Sequence, residues 1–441
     1  MNNYQHGFQN NYLSNSVWLL VEKISRIVSG LFVGVLVTRY LGPDQFGLIS
    51  YALNVVAIFT IASTLGLDGI VVRELLIRKD KKNSILGTTF FLKLIGSVIA
   101  IICAVTYSSF HDSQEKILIV FIVGLSLLFQ SFQTIDFYFQ SRVKTKYTAI
   151  NQLITQSISA LVKIALIVLH GSVEWFAAVL VIDAIIYAIF SIYFYSKQKE
   201  SLTSWKFNFL ETKLLLRFSL PMIIAGFAQL LYQKADQVLI LHYLNNLNFV
   251  GQYAAAIRIS EAFYFIPIAI STAVFPGIIN NRENVQLQYN RFIQLCSLLV
   301  WMSIGISVAG FLCGDWIISL LYAEKFNLSS LVFKIHIWSM YPVFFGTAYG
   351  MWLVAANRQR ILLVAQVINL FTFLILNSIL IPKYGIDGAA ISIVVGSYSG
   401  LIVLCILDIT RNPFVVLVKC WHPRHLIDIY RYILMQYKVS K

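Results

Sequence analysis

Cut at its polar and Gly/Pro breaks, the chain falls into twelve apolar runs, each about as long as the roughly 20 residues a helix needs to cross a bilayer. They are Ser16–Tyr40, Gly47–Val72, Ile85–Tyr107, Ile117–Phe139, Tyr147–Leu169, Trp175–Tyr195, Leu214–Tyr243, Phe249–Ile279, Phe292–Leu312, Leu331–Ala356, Ile361–Pro382 and Ile386–Leu407. Hydrocarbon offers no partner to a backbone amide, so each run is expected to close its own hydrogen bonds as a helix. The composition agrees: 12% of residues are charged, against about a quarter in soluble proteins, and mean hydropathy is +0.74. The fold class expected is an all-α integral membrane protein. A net charge of +14 could suggest nucleic acid, but the basic residues are spread through short gaps between the runs and form no patch. Lipid is the partner this implies, and nucleic acid is not. The five cysteines (Cys103, Cys296, Cys313, Cys405, Cys420) show no paired or metal-ligand spacing and read as small apolar residues. The first sixteen residues carry no Lys or Arg, so the positive start of a cleaved signal peptide is missing and the first helix is expected to be retained.

The chain also contains itself twice. GVLVTRYLGPDQFGLISYALN (Gly34–Asn54) returns as QVLILHYLNNLNFVGQYAAAIR (Gln237–Arg258), about 200 residues later. In each copy an apolar helix ends at Tyr-Leu (Tyr40-Leu41, Tyr243-Leu244), turns, and re-enters at a glycine, Gly47 or Gly251. In the first copy Gly42-Pro43 makes the turn, since proline cannot continue the ladder. With Tyr40 set on Tyr243, Lys23, Arg26, Gly30 and Val33 fall on Gly226, Gln229, Gln233 and Asp236, and past the turn Asn54 falls on Arg258. A second correspondence joins Gln140–Ile158 to Ala355–Phe373. Six helices is an even number, so the copies keep one orientation and form two parallel lobes related by an axis along the membrane normal, the plan of a transporter whose substrate sits between them. The expected division is a lobe over residues 1–196, an interfacial linker over 197–213, a second lobe over 214–410 and a basic amphipathic tail over 411–441, with Ile427, Tyr430, Leu434 and Tyr437 on its apolar face.

Short loops on one side of this arrangement carry 23 Lys and Arg and those on the other carry 4, namely Arg39, Lys116, Lys325 and Lys383. The positive-inside rule then places both termini in the cytoplasm.

Several catalytic motifs are absent. No Gly-rich loop ends in Gly-Lys-Ser/Thr, no HExxH or GxSxG occurs, and no outer segment is large enough for a transferase or ligase. A transporter without catalytic residues, metal or cofactor is expected, driven by an ion gradient, the membrane potential or the substrate's own gradient. Asp315, Glu324 and Lys325 in the largest outer loop read as solvated surface.

The informative residues are charges inside spans, each costing about 2.5 to 3.5 kcal/mol to insert. Lys23 and Arg26 share a face of helix 1, whose repeat partners lie on the Gln229, Gln233, Asp236, Gln237 stripe; Tyr51, Asn54, Ile61 and Asp68 share a face of helix 2. Two readings compete. Lys23, Asp68 and Asp136 lie near inner ends, where snorkelling explains them equally well; Lys334 and His336 suit an interfacial or packed position. Arg26, Lys234, Asp236, Arg258 and Glu261 lie deeper and suit a polar cavity, although Arg258/Glu261 and Lys234/Asp236 also suit local structural pairs.

RYLGPDQFGLISYA, FSLPMIIAG (Phe218–Gly226), VGQYAAAIRI (Val250–Ile259), the run with Pro267 and Pro276, LLYAEKF (Leu320–Phe326) and KYGIDGAAIS (Lys383–Ser392) resemble the polysaccharide-exporter branch of the multidrug/oligosaccharidyl-lipid/polysaccharide superfamily. Within it the nearest resemblance is to Wzx-type O-antigen flippases of Gram-negative bacteria. The resemblance reaches to about Asp408. It implies a MATE-like protein of twelve transmembrane helices in two six-helix lobes, in the cell inner membrane. Its implied cargo is an undecaprenyl-pyrophosphate-linked oligosaccharide, moved from the inner to the outer leaflet in exchange for a proton or sodium ion. A polysaccharide polymerase and a chain-length regulator are implied partners. A pyrophosphate needs cations, which makes Arg26, Arg258, Lys93 and Lys234 the expected substrate-binding set and Asp68, Gln229, Gln233, Asp236 and Glu261 the expected coupling or cavity residues. The competing functions are a multidrug or cation antiporter, and a flippase for lipid II, a capsule unit or an exopolysaccharide unit.

Overall fold

A computed structural model describes residues 2–279, 285–408 and 413–422; the tail face at Ile427, Tyr430, Leu434 and Tyr437 lies outside them. Every regular element among the described residues is helical. In chain order these are α1 (Asn2–Thr64), α2 (Asp68–Ile77), α3 (Lys82–His111), α4 (Gln114–Gln130), α5 (Thr134–Ser141), α6 (Lys146–Val168), α7 (Val173–Lys197) and α8 (Phe209–Leu244). There follow α9 (Leu247–Glu261), α10 (Phe265–Ile279), α11 (Val285–Tyr322), α12 (Ser329–His336), α13 (Met340–Ala355), α14 (Gln359–Leu407) and α15 (Pro413–Cys420).

Among the described residues eight helical stretches are long and apolar enough to cross a membrane, nine with the bent pair Phe209–Leu220 and Met222–Leu244. Two of them are 49 residues long, and each contains a break. In α1 it falls at Gly42 (φ 70°, ψ 175°), just before Pro43, and in α14 at Gly385 (φ 59°, ψ −137°), after Pro382. Both glycines take the left-handed region that a side chain would resist. Each long helix can therefore supply two crossings, consistent with twelve.

Other runs are less continuous than their hydropathy suggests. The expected second helix breaks at Leu65-Gly66, both at positive φ, and α2 restarts at Asp68. Asp68 therefore does not extend the face of Tyr51, Asn54 and Ile61. It opens a new helix instead, where a carboxylate complements the N-terminal dipole. The fourth run is likewise divided by a 3₁₀ turn, Ser131–Gln133, that separates α4 from α5.

The chain forms two compact units, residues 1–241 with 246–251, and residues 242–245 with 252–441. In the first, a buried cluster gathers Val71, Ile85, Leu86, Ile135, Phe139 and Tyr195 from α2, α3, α5 and α7, with Leu67 just before α2. Helices approach closely at small residues: Gly96 of α3 lies against the α1 backbone, where a Cβ would stand 2.9 Å from the Ala62 carbonyl carbon. Beside it Ser63 and Ser97 share a 2.7 Å hydrogen bond. In the second unit Phe292, Phe344, Phe345, Tyr349 and Trp352 are buried between α11 and α13, with Phe292 stacked on Trp352 at 4.4 Å.

Candidate functional site

In the first unit, α2, α3 and α5 bring Asp68, Lys93 and Asp136 into one neighbourhood. Lys93 is 1% exposed, so its ammonium is held inside the helix bundle. It sits 5.1 Å over the Phe137 ring, with Asp68 and Asp136 the carboxylates within electrostatic reach. Asp136 is also buried. Its Oδ2 accepts from the Tyr187 hydroxyl at 2.5 Å and its Oδ1 from Thr148 Oγ1 at 3.0 Å. Two neutral donors and one nearby cation thus replace the water such a carboxylate would otherwise need.

From Asp136 a polar seam runs between α6 and α7. Asn151 Nδ2 donates to Ser191 Oγ (2.8 Å) and to the Tyr187 carbonyl (3.0 Å), and Thr155 Oγ1 donates to Asn151 Oδ1 at 3.5 Å. One turn further on, Ser159 Oγ donates to Asp183 Oδ2 and accepts from Lys163 Nζ, both at 2.8 Å. Lys163 and Asp183 lie 3.5 Å apart. The sequence carries a signal for this seam that hydropathy overlooks: Asn151, Thr155, Ser159 and Lys163 recur every four residues, as do Asp183, Tyr187 and Ser191.

At the end of this unit where α2 and α3 meet, the segment after α7 is strapped down. Arg78 bridges two buried carboxylates, Glu74 and Glu211, each at 2.8 Å. Burial opposes the Arg78 charge, but these two neighbours outweigh it and hold its pKa above the usual arginine value. Lys82 donates to Glu200 at 2.6 Å, and Tyr138 donates to the same carboxylate at 3.1 Å. Gly87 lets the strand of chain at Lys206 lie on α3, since a Cβ there would stand 2.6 Å from the Lys206 nitrogen. Trp205 caps the contact, donating to the Tyr195 hydroxyl at 3.1 Å and packing on Phe90. Glu74, Glu200 and Glu211 carry no sequence signature of these roles.

The other expected residues are spread more widely. Arg26 is exposed and pairs with Glu22, one turn before it, at 3.5 Å. On α8, Gln229 and Gln233 are exposed, Lys234 is partly buried and Asp236 is buried, its Oδ1 accepting from the Gln237 amide. In the second unit, on α9, Arg258 is partly buried with Tyr322 in electrostatic reach, and Glu261 is exposed. The same helix anchors α12: Gln252 bonds Ser329 and the Lys325 carbonyl, and Ser260 lies 2.7 Å from Nδ1 of the buried His336. His336 is thus packed, and Lys334 pairs with the exposed Asp315. The first unit therefore holds Asp68, Lys93 and Asp136 together, Arg26 stands by Glu22, and Arg258 belongs to the second unit.

Long apolar helices with ionisable groups inside them define a multi-pass membrane protein; its fold is MATE-like, and its family and structural matches make it a transporter rather than an enzyme. It is similar to the solved structure of the lipid II flippase MurJ in an inward closed conformation, with a TM-score of 0.74 at 16% identity, covering 96% of this chain and 93% of that one. The chain belongs to the polysaccharide biosynthesis protein family, whose model matches residues 12–281, and the MatE model matches residues 221–382. Among curated proteins it is 25% identical over 267 residues to Lsg locus protein 1 of Haemophilus influenzae, spanning 59% of this chain and just under two thirds, 64%, of that one. It is 26% identical over 396 residues to the "Probable flippase AglR" of Haloferax volcanii, over 83% of this chain and 77% of that one.

Proposed function

We propose that this chain is a flippase for a lipid-linked glycan, an undecaprenyl-pyrophosphate-linked O-antigen repeat unit, carried from the cytoplasmic to the periplasmic leaflet of the cell inner membrane. The observation that carries this reading is membership of the polysaccharide biosynthesis family across residues 12–281, in a fold whose spans hold cations. A relative described as a flippase supports it. The physical need is plain: each unpaired sugar hydroxyl costs about 4 to 8 kcal/mol on entering hydrocarbon, so the head requires a wet cavity while the polyprenyl tail stays in lipid. Arg26, Lys93, Lys234 and Arg258 would hold the pyrophosphate as two six-helix lobes, 1–196 and 214–410, rock about it, with Asp68, Gln229, Gln233, Asp236 and Glu261 lining or coupling the path. A proton or sodium gradient supplies the energy, aided by about 2.3 kcal/mol per charge per 100 mV of inside-negative potential. Both termini are cytoplasmic in this reading.

The test is the leaflet distribution of lipid-linked repeat units in a strain lacking the protein. They should accumulate on the cytoplasmic face and reach the other face on re-expression, and an ionophore that collapses both gradients at clamped ATP should stop them. Flipping that persists without gradients removes ion coupling. The MatE match over residues 221–382 favours one second reading, a multidrug or cation antiporter. That reading expects drug efflux on expression and a normal leaflet distribution in the deletion strain.

A further inference from the structure

The first unit contains a buried carboxylate, Asp136, to which the pyrophosphate reading gives no role, beside Lys93, which that reading does use. Asp136 and Lys93 both lie out of water, on different helices, and among the described residues no ion pair at contact distance joins them. Instead Asp136 is solvated by Tyr187 and Thr148, and Lys93 rests over Phe137. A structural pair would close to contact, because direct contact is what offsets the desolvation of two charges. Separated and individually supported groups leave room for a proton to come and go.

The seam supplies a route. From Thr148 to Lys163 along α6 is about 22 Å at about 1.5 Å per residue, most of a hydrocarbon core about 30 Å thick. Hydroxyls and amides of Tyr187, Ser191, Asn151 and Thr155 continue from Asp136, and Ser159 then meets Asp183 and Lys163. Ionisable groups inside membranes, here Asp136, Asp183 and Lys163, mark proton relays, and the neutral seam spans the distance between them with one helical turn, Thr155 to Ser159, to be crossed.

We propose that Asp136 is where the coupling proton binds, with Lys93 as its fixed counter-charge, and that the α6–α7 seam carries the proton from the Lys163 end. The step is COO⁻ + H⁺ → COOH at Asp136, and the pair goes from net zero to +1. Charged or titratable groups facing it are Lys93 from α3 and Tyr187 from α7; α6 contributes the neutral Thr148, and Asp68 of α2 is within electrostatic reach of Lys93. Proton uptake at Asp136 strips Lys93 of its buried counter-charge, and that change inside the unit is what a gradient can act on. This rests on the ion-coupled reading above and takes its coupling ion to be the proton.

Difference infrared spectroscopy of the purified full-length protein, with no glycan present, tests it. Lowering the pH should raise a carboxylic-acid carbonyl band that Asp136→Asn abolishes and that Asp315→Asn, at an exposed carboxylate, retains. Tyr187→Phe, which keeps the ring, should shift the band and its midpoint; this variant carries the assignment where Asp136→Asn fails to fold. After an acid jump, Thr155→Val and Ser159→Ala should slow the band's appearance at least tenfold with the midpoint unchanged. Absence of a titrating band sensitive to Tyr187 overturns the site, and an unchanged rate in both seam variants overturns the route. Since no substrate is used, a titrating Asp136 stands even if glycan flipping fails its own test, and a silent Asp136 leaves the flippase reading intact with another coupling site.

Discussion

Gly47 and Gly251, which hold equivalent places in the two copies of the repeat, lie backbone to backbone: a Cβ on Gly47 would stand 2.9 Å from the Gly251 nitrogen. A Cβ on Gly251 would in turn stand 2.7 Å from the Pro43 carbonyl carbon. Alongside, Asn248 Nδ2 donates to Asp44 Oδ2 at 3.2 Å. The repeat thus meets itself at its re-entry glycines.

Gly47→Val and Gly251→Val should each lose glycan display, because the obstruction is backbone and cannot step aside as a side-chain tip would. Gly305→Ala, at a glycine with open space around its missing Cβ, should behave as wild type. Display and protein abundance measured together decide it; normal display from Gly47→Val would show that the contact is dispensable.

Arg78 neutralises two buried carboxylates at once. Arg78→Met should therefore destabilise the protein, by less than the about 3 to 5 kcal/mol of an uncompensated buried charge, because Arg73 stays on Glu74 at 2.8 Å and Lys81 lies 3.7 Å from Glu211. Glu211→Gln should cost less, since Arg78 keeps Glu74. Melting of the purified variants would read this directly, and a wild-type transition for Arg78→Met would mean that the strap at Glu211 contributes nothing.

If Arg26 and Arg258 hold pyrophosphate, Lys should restore each in part, keeping the charge and losing the bidentate fork, while Ala and Glu should abolish display at normal abundance. Lys93→Ala and Lys234→Ala should weaken it. Full display from both arginine-to-alanine variants at wild-type abundance would remove the pyrophosphate site. Complete rescue by Arg258→Gln with Glu261→Gln would make Arg258 a structural partner instead.

Reporter fusions after Arg78, Lys199 and Lys441 should be cytoplasmic, and those after Asp112 and Asn327 periplasmic, as the distribution of basic residues requires. A single fusion on the opposite side would break the parallel-repeat argument.

Membrane residence, helical class and the places where long helices break were legible in the sequence, because each is a one-dimensional property. Lipid forces every amide to bond within its own segment, so run length alone marks a span, and Gly42-Pro43 and Gly385 mark breaks by backbone chemistry that needs no neighbour. The turn at Leu65-Gly66 lay inside an unbroken apolar run and had no such mark apart from one glycine, so the relocation of Asp68 to the start of α2 was not readable. Tertiary structure alone decided which polar groups meet. Asp136 finds Tyr187 on α7 and Lys93 on α3, and Arg78 finds Glu211, because interhelical register depends on how side chains interdigitate across neighbours rather than on spacing within one helix.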